Sequence, residues 1–166
     1  MYPNPTLRYI LSLLNYKVIV FFSAILLSAC SSSHKFDQEL QLTTFLKEEG
    51  KFQSYGKNIF VFMLVGGCDP CDEATLKLMK QFSVSSKYQH FARWAVIRKG
   101  NRNNENRLIK MGYQVYVDEK YKISHYGLDF SSNMLIEFSS DLEVVDLKPI
   151  NIDEYQNLLN YYFPEM

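Results

Sequence analysis

The sequence predicts an α/β domain, a central mixed sheet flanked by helices, preceded by a signal or lipoprotein segment. Three observations predict it. Short apolar runs alternate with helical patterns through the middle of the chain, which builds parallel strands joined by helices. Near the C-terminus two further apolar runs are separated by Ser139-Ser140-Asp141, which adds an antiparallel hairpin. The first 29 residues have a composition unlike the remainder.

That first segment carries Arg8 and Lys17, then a run from Val18 to Leu27 that is apolar except for Ser23, and no acidic residue occurs before Asp37. This is the pattern of an export signal. The run has ten residues, about half of what a membrane-spanning helix requires. Leu27-Ser28-Ala29-Cys30 is similar to the lipobox of bacterial lipoproteins, which implies cleavage before Cys30 and attachment of diacylglycerol to its sulfur. Each buried acyl methylene contributes about 0.8 kcal/mol to membrane binding, so a triacylated Cys30 would hold the protein to the bilayer permanently. The expected organisation is therefore a signal peptide over 1–29, a lipidated tether over 30–35 (Ser31-Ser32-Ser33-His34-Lys35 after Cys30) and one domain over 36–166. The location this implies is the bacterial cell envelope facing the periplasm. Ser31 after the anchor favours the outer membrane over the inner one, by likeness to known lipoproteins.

The full chain has 18 Lys and Arg against 18 Asp and Glu, and loss of Arg8 and Lys17 leaves a slight acidic excess. No nucleic-acid partner is implied. The chain has three cysteines; an exported domain with two besides its anchor is expected to pair Cys68 with Cys71, because the compartment is oxidising.

Along the domain, Phe36, Leu40, Leu42, Phe45 and Leu46 recur near the helical period and predict a helix ending around Gly50. Ile59 to Val65 is continuously apolar and predicts the first strand. Asp72 to Phe82 places Ala74, Leu76, Leu78, Met79 and Phe82 on one side of a helix, with Asp72 and Glu73 in its first turn to complement the dipole. Phe91 to Ile97 predicts a second strand, ended by Arg98-Lys99-Gly100-Asn101. A helix from Asn103 to Met111 is closed by Gly112. Val115-Tyr116-Val117 is a brief strand leading to Asp118, and Lys120 to Tyr126 a turn or two of helix. Met134 to Phe138 and Leu142 to Leu147 are the hairpin strands. Asn151 opens a last helix carrying Tyr155, Leu158, Leu159 and Tyr162.

Between the first strand and its helix lies Gly66-Gly67-Cys68-Asp69-Pro70-Cys71. Backbone N–H groups at a helix start carry partial positive charge, which lowers the pKa of a nearby thiol. The Cys-x-x-Cys spacing lets the second thiol return on the first within one turn, so a mixed disulfide formed by one sulfur can be released by the other.

With strand, Cys-x-x-Cys helix, strand, helix, hairpin and helix in that order, the chain resembles the thioredoxin superfamily, and more narrowly the exported thiol:disulfide oxidoreductases with a peroxiredoxin-like core. The stretch from Val115-Tyr116-Val117-Asp118 to Tyr126-Gly127-Leu128 is similar to a family segment in which a short strand ends in Asp and leads to a Tyr-Gly pair. The resemblance covers about Asn58 to Phe163. It implies a thioredoxin-like fold, Cys68 as exposed nucleophile and Cys71 as resolving thiol. It further implies client proteins with disulfides or thiols, a membrane-bound electron donor and no cofactor.

Asp69 stands where the family has a small residue. A carboxylate about 6 Å from the sulfur disfavours the thiolate by about one pKa unit or less, which predicts a reducing or intermediate potential. Three positions depart from the family. Gly67 replaces a shielding Trp; Phe62 replaces a buried carboxylate that assists proton transfer; and Ser132, in Phe130-Ser131-Ser132-Asn133, occupies the position of a cis-proline beside the disulfide. A cis bond without proline costs about 3 kcal/mol, so this loop is expected to be trans, with the backbone groups that dock a client strand at Ser132 rearranged.

The competing reading is a non-catalytic binding lipoprotein of the same fold, its Cys68–Cys71 pair structural or idle. No metal site is expected: a zinc ribbon would need a second ligand pair, and a copper-handling role would rest on His125 alone. Peroxidase chemistry is disfavoured because Val65-Gly66-Gly67 lacks the Thr or Ser and Pro that surround a peroxidatic cysteine. Arg98, Lys99, Arg102, Arg107 and Lys110 form a solvated basic face diluted by Glu105 and asparagines.

Overall fold

The computed structural model describes residues 37–165, without the side chains of residues 100–102. Cys30, the lipobox and the serine tether lie outside the described residues. The chain divides between Leu40 and Gln41 into two units. Of the first, only 37–40 is described, the opening turn of helix α1 over 37–48. Among the described residues no helix is long and apolar enough to cross a membrane.

The second unit is built on β1 (Ile59–Leu64), β2 (Ala92–Arg98), β3 (Gln114–Asp118), β4 (Asn133–Phe138) and β5 (Val144–Ile150), in the sheet order β3-β2-β1-β4-β5. β1, β2 and β3 run parallel, while β4 is antiparallel to β1 and β5 antiparallel to β4. The helices are α2 (Asp69–Val84), α3 (Glu105–Lys110), α4 (Lys122–His125) and α5 (Tyr155–Tyr162). This is the predicted α/β architecture, a central mixed sheet flanked by helices, with α2 and α3 each making a crossover between parallel strands.

β1 is buried at every position, as a central strand covered on both faces must be. Phe60, Phe62 and Leu64 point to the α2 and α5 side, among Leu78, Met79, Phe82 and Tyr162. Ile59, Val61 and Met63 point the other way, among Phe45, Phe52, Trp94, Val96 and Ile136. The alternation follows from the two-residue period of the strand.

Several boundaries move. α2 begins at Asp69, three residues before the predicted start, because Cys68 serves as its N-cap and Pro70 fits a first turn whose N–H groups need no helical partner. The predicted helix over Asn103–Met111 splits into a 3-10 segment, Lys99–Asn104, and α3. The helix predicted over Lys120–Tyr126 contracts to α4, and residues 152–154 form a turn before α5. β5 runs to Ile150 through Pro149, which an edge strand tolerates because one side of it makes no ladder bonds. Leu40, counted on the apolar side of the first helix, is 58% exposed.

Candidate active site

The chain leaves β1 through two left-handed glycines, Gly66 at φ 76° and Gly67 at φ 91°. A side chain is disfavoured there by backbone sterics alone, since a Cβ on Gly67 would meet nothing within 4 Å. The absence of a Trp at position 67 is thus a conformational requirement of this loop. Cys68 follows in extended conformation at φ −142°, and its sulfur accepts the Cys71 N–H at 3.3 Å. A sulfur here fills the place usually taken by a Ser or Asp oxygen.

Cys68 and Cys71 are joined by a disulfide with S–S 2.08 Å and Cα–Cα 5.2 Å. Both are partly exposed, and Asp69 and Pro70 between them are exposed. The pair therefore sits at the positive end of a 16-residue helix with solvent on one side.

Phe62, which the resemblance set against a buried carboxylate, is wholly enclosed in the aromatic core. The polar groups beside the disulfide loop come from elsewhere. Asp72, read from the sequence as an acid of the first helical turn, is only 7% exposed; its Oδ1 accepts from Asn133 Nδ2 at 2.8 Å. Asn133 Nδ2 also donates to Thr75 Oγ1 at 2.9 Å, and Asn133 Oδ1 accepts the Val65 N–H at 2.8 Å. Thr75 in turn donates to the Cys71 carbonyl at 2.8 Å.

Asn133 is the residue that the sequence reasoning missed. Ser132 precedes it, partly exposed, with Oγ 3.8 Å from Met134 Sδ. Every peptide bond among the described residues is trans, including those of the Phe130–Asn133 loop. Asp118, the acid that ends β3, serves the fold. Buried, it accepts the Lys122 N–H at 2.8 Å and the Ile123 N–H at 3.1 Å to start α4.

The basic stretch is partly neutralised. Arg98 lies 4.0 Å from Asp129, and Arg107 donates to Glu73 at 3.0 Å, holding that carboxyl below its usual range through the hydrogen bond first and the charge second. His125 and His90 are both exposed. Among the described residues no group of three metal-binding side chains converges.

No protein-family model and no curated protein matches the sequence. Among solved structures the chain is similar to StoA of Bacillus subtilis, at 13% identity and TM-score 0.48 over 64% of this chain and 83% of that one. It is also similar to the thioredoxin domain of a thiol-disulfide oxidoreductase of Bacteroides vulgatus, at 12% identity and TM-score 0.46 over 64% and 79%. A third is the pneumococcal exposed lipoprotein thioredoxin of Streptococcus pneumoniae, at 15% identity and TM-score 0.43 over 64% and 83%.

Proposed function

We propose that this chain is a lipid-anchored thiol:disulfide oxidoreductase of the cell envelope, in which Cys68 attacks client disulfides and Cys71 resolves them. One observation carries the reading: the Cys68 sulfur is the N-cap of α2, bonded by the Cys71 N–H, on a partly exposed residue. A group that accepts this N–H as half of a disulfide accepts it more strongly as a thiolate, so the same contact favours the nucleophile after reduction.

In the reduced form the Cys68 thiolate attacks one sulfur of the client disulfide and expels the other as a thiolate. The Cys71 thiolate then attacks the Cys68 sulfur and releases the second client thiolate, which takes up a proton. The client has gained two electrons, and the Cys68–Cys71 disulfide is the product. A membrane-bound dithiol donor returns the pair to the reduced form by the reverse exchange. The loop through Ser132 lies directly before Asn133 and supplies the backbone against which a client strand docks. Anchorage through acylated Cys30 keeps the domain beside that donor, in the envelope.

The reading is tested with Cys71→Ser in the full chain. Mixed disulfides between Cys68 and envelope proteins should accumulate to amounts visible on non-reducing gels and vanish with dithiothreitol. If none forms, while the wild-type disulfide resists reductants that open ordinary redox-active pairs, the domain is a binding module with a static bridge.

A further inference from the structure

We infer that Asn133 is the positioning residue of the redox pair, holding both arms of the Cys68–Cys71 loop in the geometry that closes the disulfide. The inference rests on the oxidoreductase reading for its purpose, though not for its measurement. Asn133 is 2% exposed and lies at the first position of β4. Its side chain reaches the two segments that enter and leave the redox loop: Val65, three residues before Cys68, and Asp72, directly after Cys71.

The bonding admits a single orientation of the amide. Thr75 has one hydroxyl hydrogen, committed to the Cys71 carbonyl, so towards Asn133 it acts as an acceptor. The Asp72 carboxylate oxygen is an acceptor too, and the Val65 N–H is a donor. Nδ2 must therefore face Thr75 and Asp72 while Oδ1 faces Val65; the flipped amide would set acceptor against acceptor and donor against donor. Both amide hydrogens and the carbonyl oxygen are used. A buried Asn with every group committed fixes its surroundings in direction as well as in distance.

Closing the disulfide requires the Cys68 and Cys71 backbones to stay within bonding reach. The apolar core does not supply that constraint, because no apolar side chain between Leu64 and Ala74 is buried in it. The amide of Asn133 supplies it, one residue after the Ser132 position where the proline is absent. Reduction converts the disulfide and two glutathione molecules into a dithiol and one glutathione disulfide, so the exchange constant reads how far the loop favours ring closure.

The full chain is equilibrated in glutathione buffers, and the oxidised fraction is read by alkylation and mass of the peptide carrying both cysteines. Asn133→Ala should lower the constant for disulfide formation about tenfold, the worth of one net buried hydrogen bond, raising the potential by about 30 mV. Thr75→Val, which keeps the volume and removes only the hydroxyl, should shift it in the same direction by about threefold. A purely structural Asn133 would lower the stability of both redox states equally and leave the constant unchanged. Constants within twofold of wild type for both variants, or a shift towards a tighter disulfide, overturn the inference. Should Asn133→Ala fail to fold, Thr75→Val decides alone. Failure of Cys71→Ser to trap clients, with these shifts intact, removes the enzyme and leaves the positioning role.

Discussion

The two ends of α2 are held in opposite ways. At the C-terminal end Phe82 packs against Phe60, Tyr88, Tyr162 and Phe163 with ring centroids 4.6, 4.8, 5.1 and 5.0 Å away. At the N-terminal end Asp72 and Thr75 hydrogen-bond the side chain of Asn133. Apolar packing is strong and non-directional, whereas hydrogen bonds weaken steeply when their angles change. The contrast assigns separate roles to one helix, stability to its far end and orientation to the end that carries the sulfurs.

Phe82→Ala should have the largest effect and tests that separation. Phe82 is fully buried, so truncation should cost about 3–5 kcal/mol, read as a lower denaturation midpoint for oxidised and reduced protein alike. The site lies eleven residues from Cys71, about 16 Å along the helix axis, beyond the range at which effects usually couple. The exchange constant with glutathione should therefore stay within about twofold of wild type. A large change in it would show that the aromatic end also sets the redox loop, and the division of roles would fail.

Asp69→Asn acts at the other end and should do the reverse. Asp69 is exposed, in the first turn of α2 beside the disulfide. Removing its negative charge should lower the Cys68 thiol pKa in the reduced protein by up to about one unit. The thiolate absorbance titration measures that shift. Stability should fall by only about 0.5 kcal/mol, from the lost favourable charge at the helix start. A Cys68 pKa that does not move would mean that solvent screens Asp69 completely, leaving the N–H contacts to set thiolate stability.

The same division explains what could be read from the sequence. The apolar end was legible: Ile59 to Leu64 is apolar without interruption, and Leu78, Met79 and Phe82 repeat at helical spacing, so local pattern announces the core. The two cysteines were legible because their spacing is local. The polar end was not. Asn133 follows two serines and reads as loop, and its partners Thr75 and Asp72 are 58 and 61 residues away in sequence, so only the antiparallel return of β4 beside β1 brings them together. Asp72 read only as a first-turn acid complementing the dipole, because its helical position alone does not reveal what β4 lays over it. The start of α2 was misplaced for a related reason: a cysteine seldom caps a helix, and Asp-Pro reads as a turn until the sulfur is seen to take the cap.

The smallest expected effect lies where β4 crosses from one regime into the other. Glu137 is half-buried on the α5 side of the sheet and pairs across the strands with Asp146. Burial first, and the like charge of Asp146 second, push its carboxyl above the ordinary value near 4.5, against smaller opposing pulls from Lys148 and Lys87. An acid raised in the folded state contributes stability that is fully present below its unfolded value and lost as pH rises through its folded one. At neutral pH the charged Glu137 is therefore a small burden at the aromatic end, near Tyr162, whose buried hydroxyl has no hydrogen-bond partner among the described residues. Solvent at its exposed edge keeps that burden small. Glu137→Gln should raise the melting temperature at pH 7 by about 1–2 °C and give no gain at pH 4, where the wild-type carboxyl is already protonated in the fold. An equal gain at both pH values would assign the effect to packing or amide hydrogen bonding. No gain at either would mean that Lys148 and Lys87 already offset the charge, and that the aromatic end accommodates polarity as readily as the end pinned by Asn133.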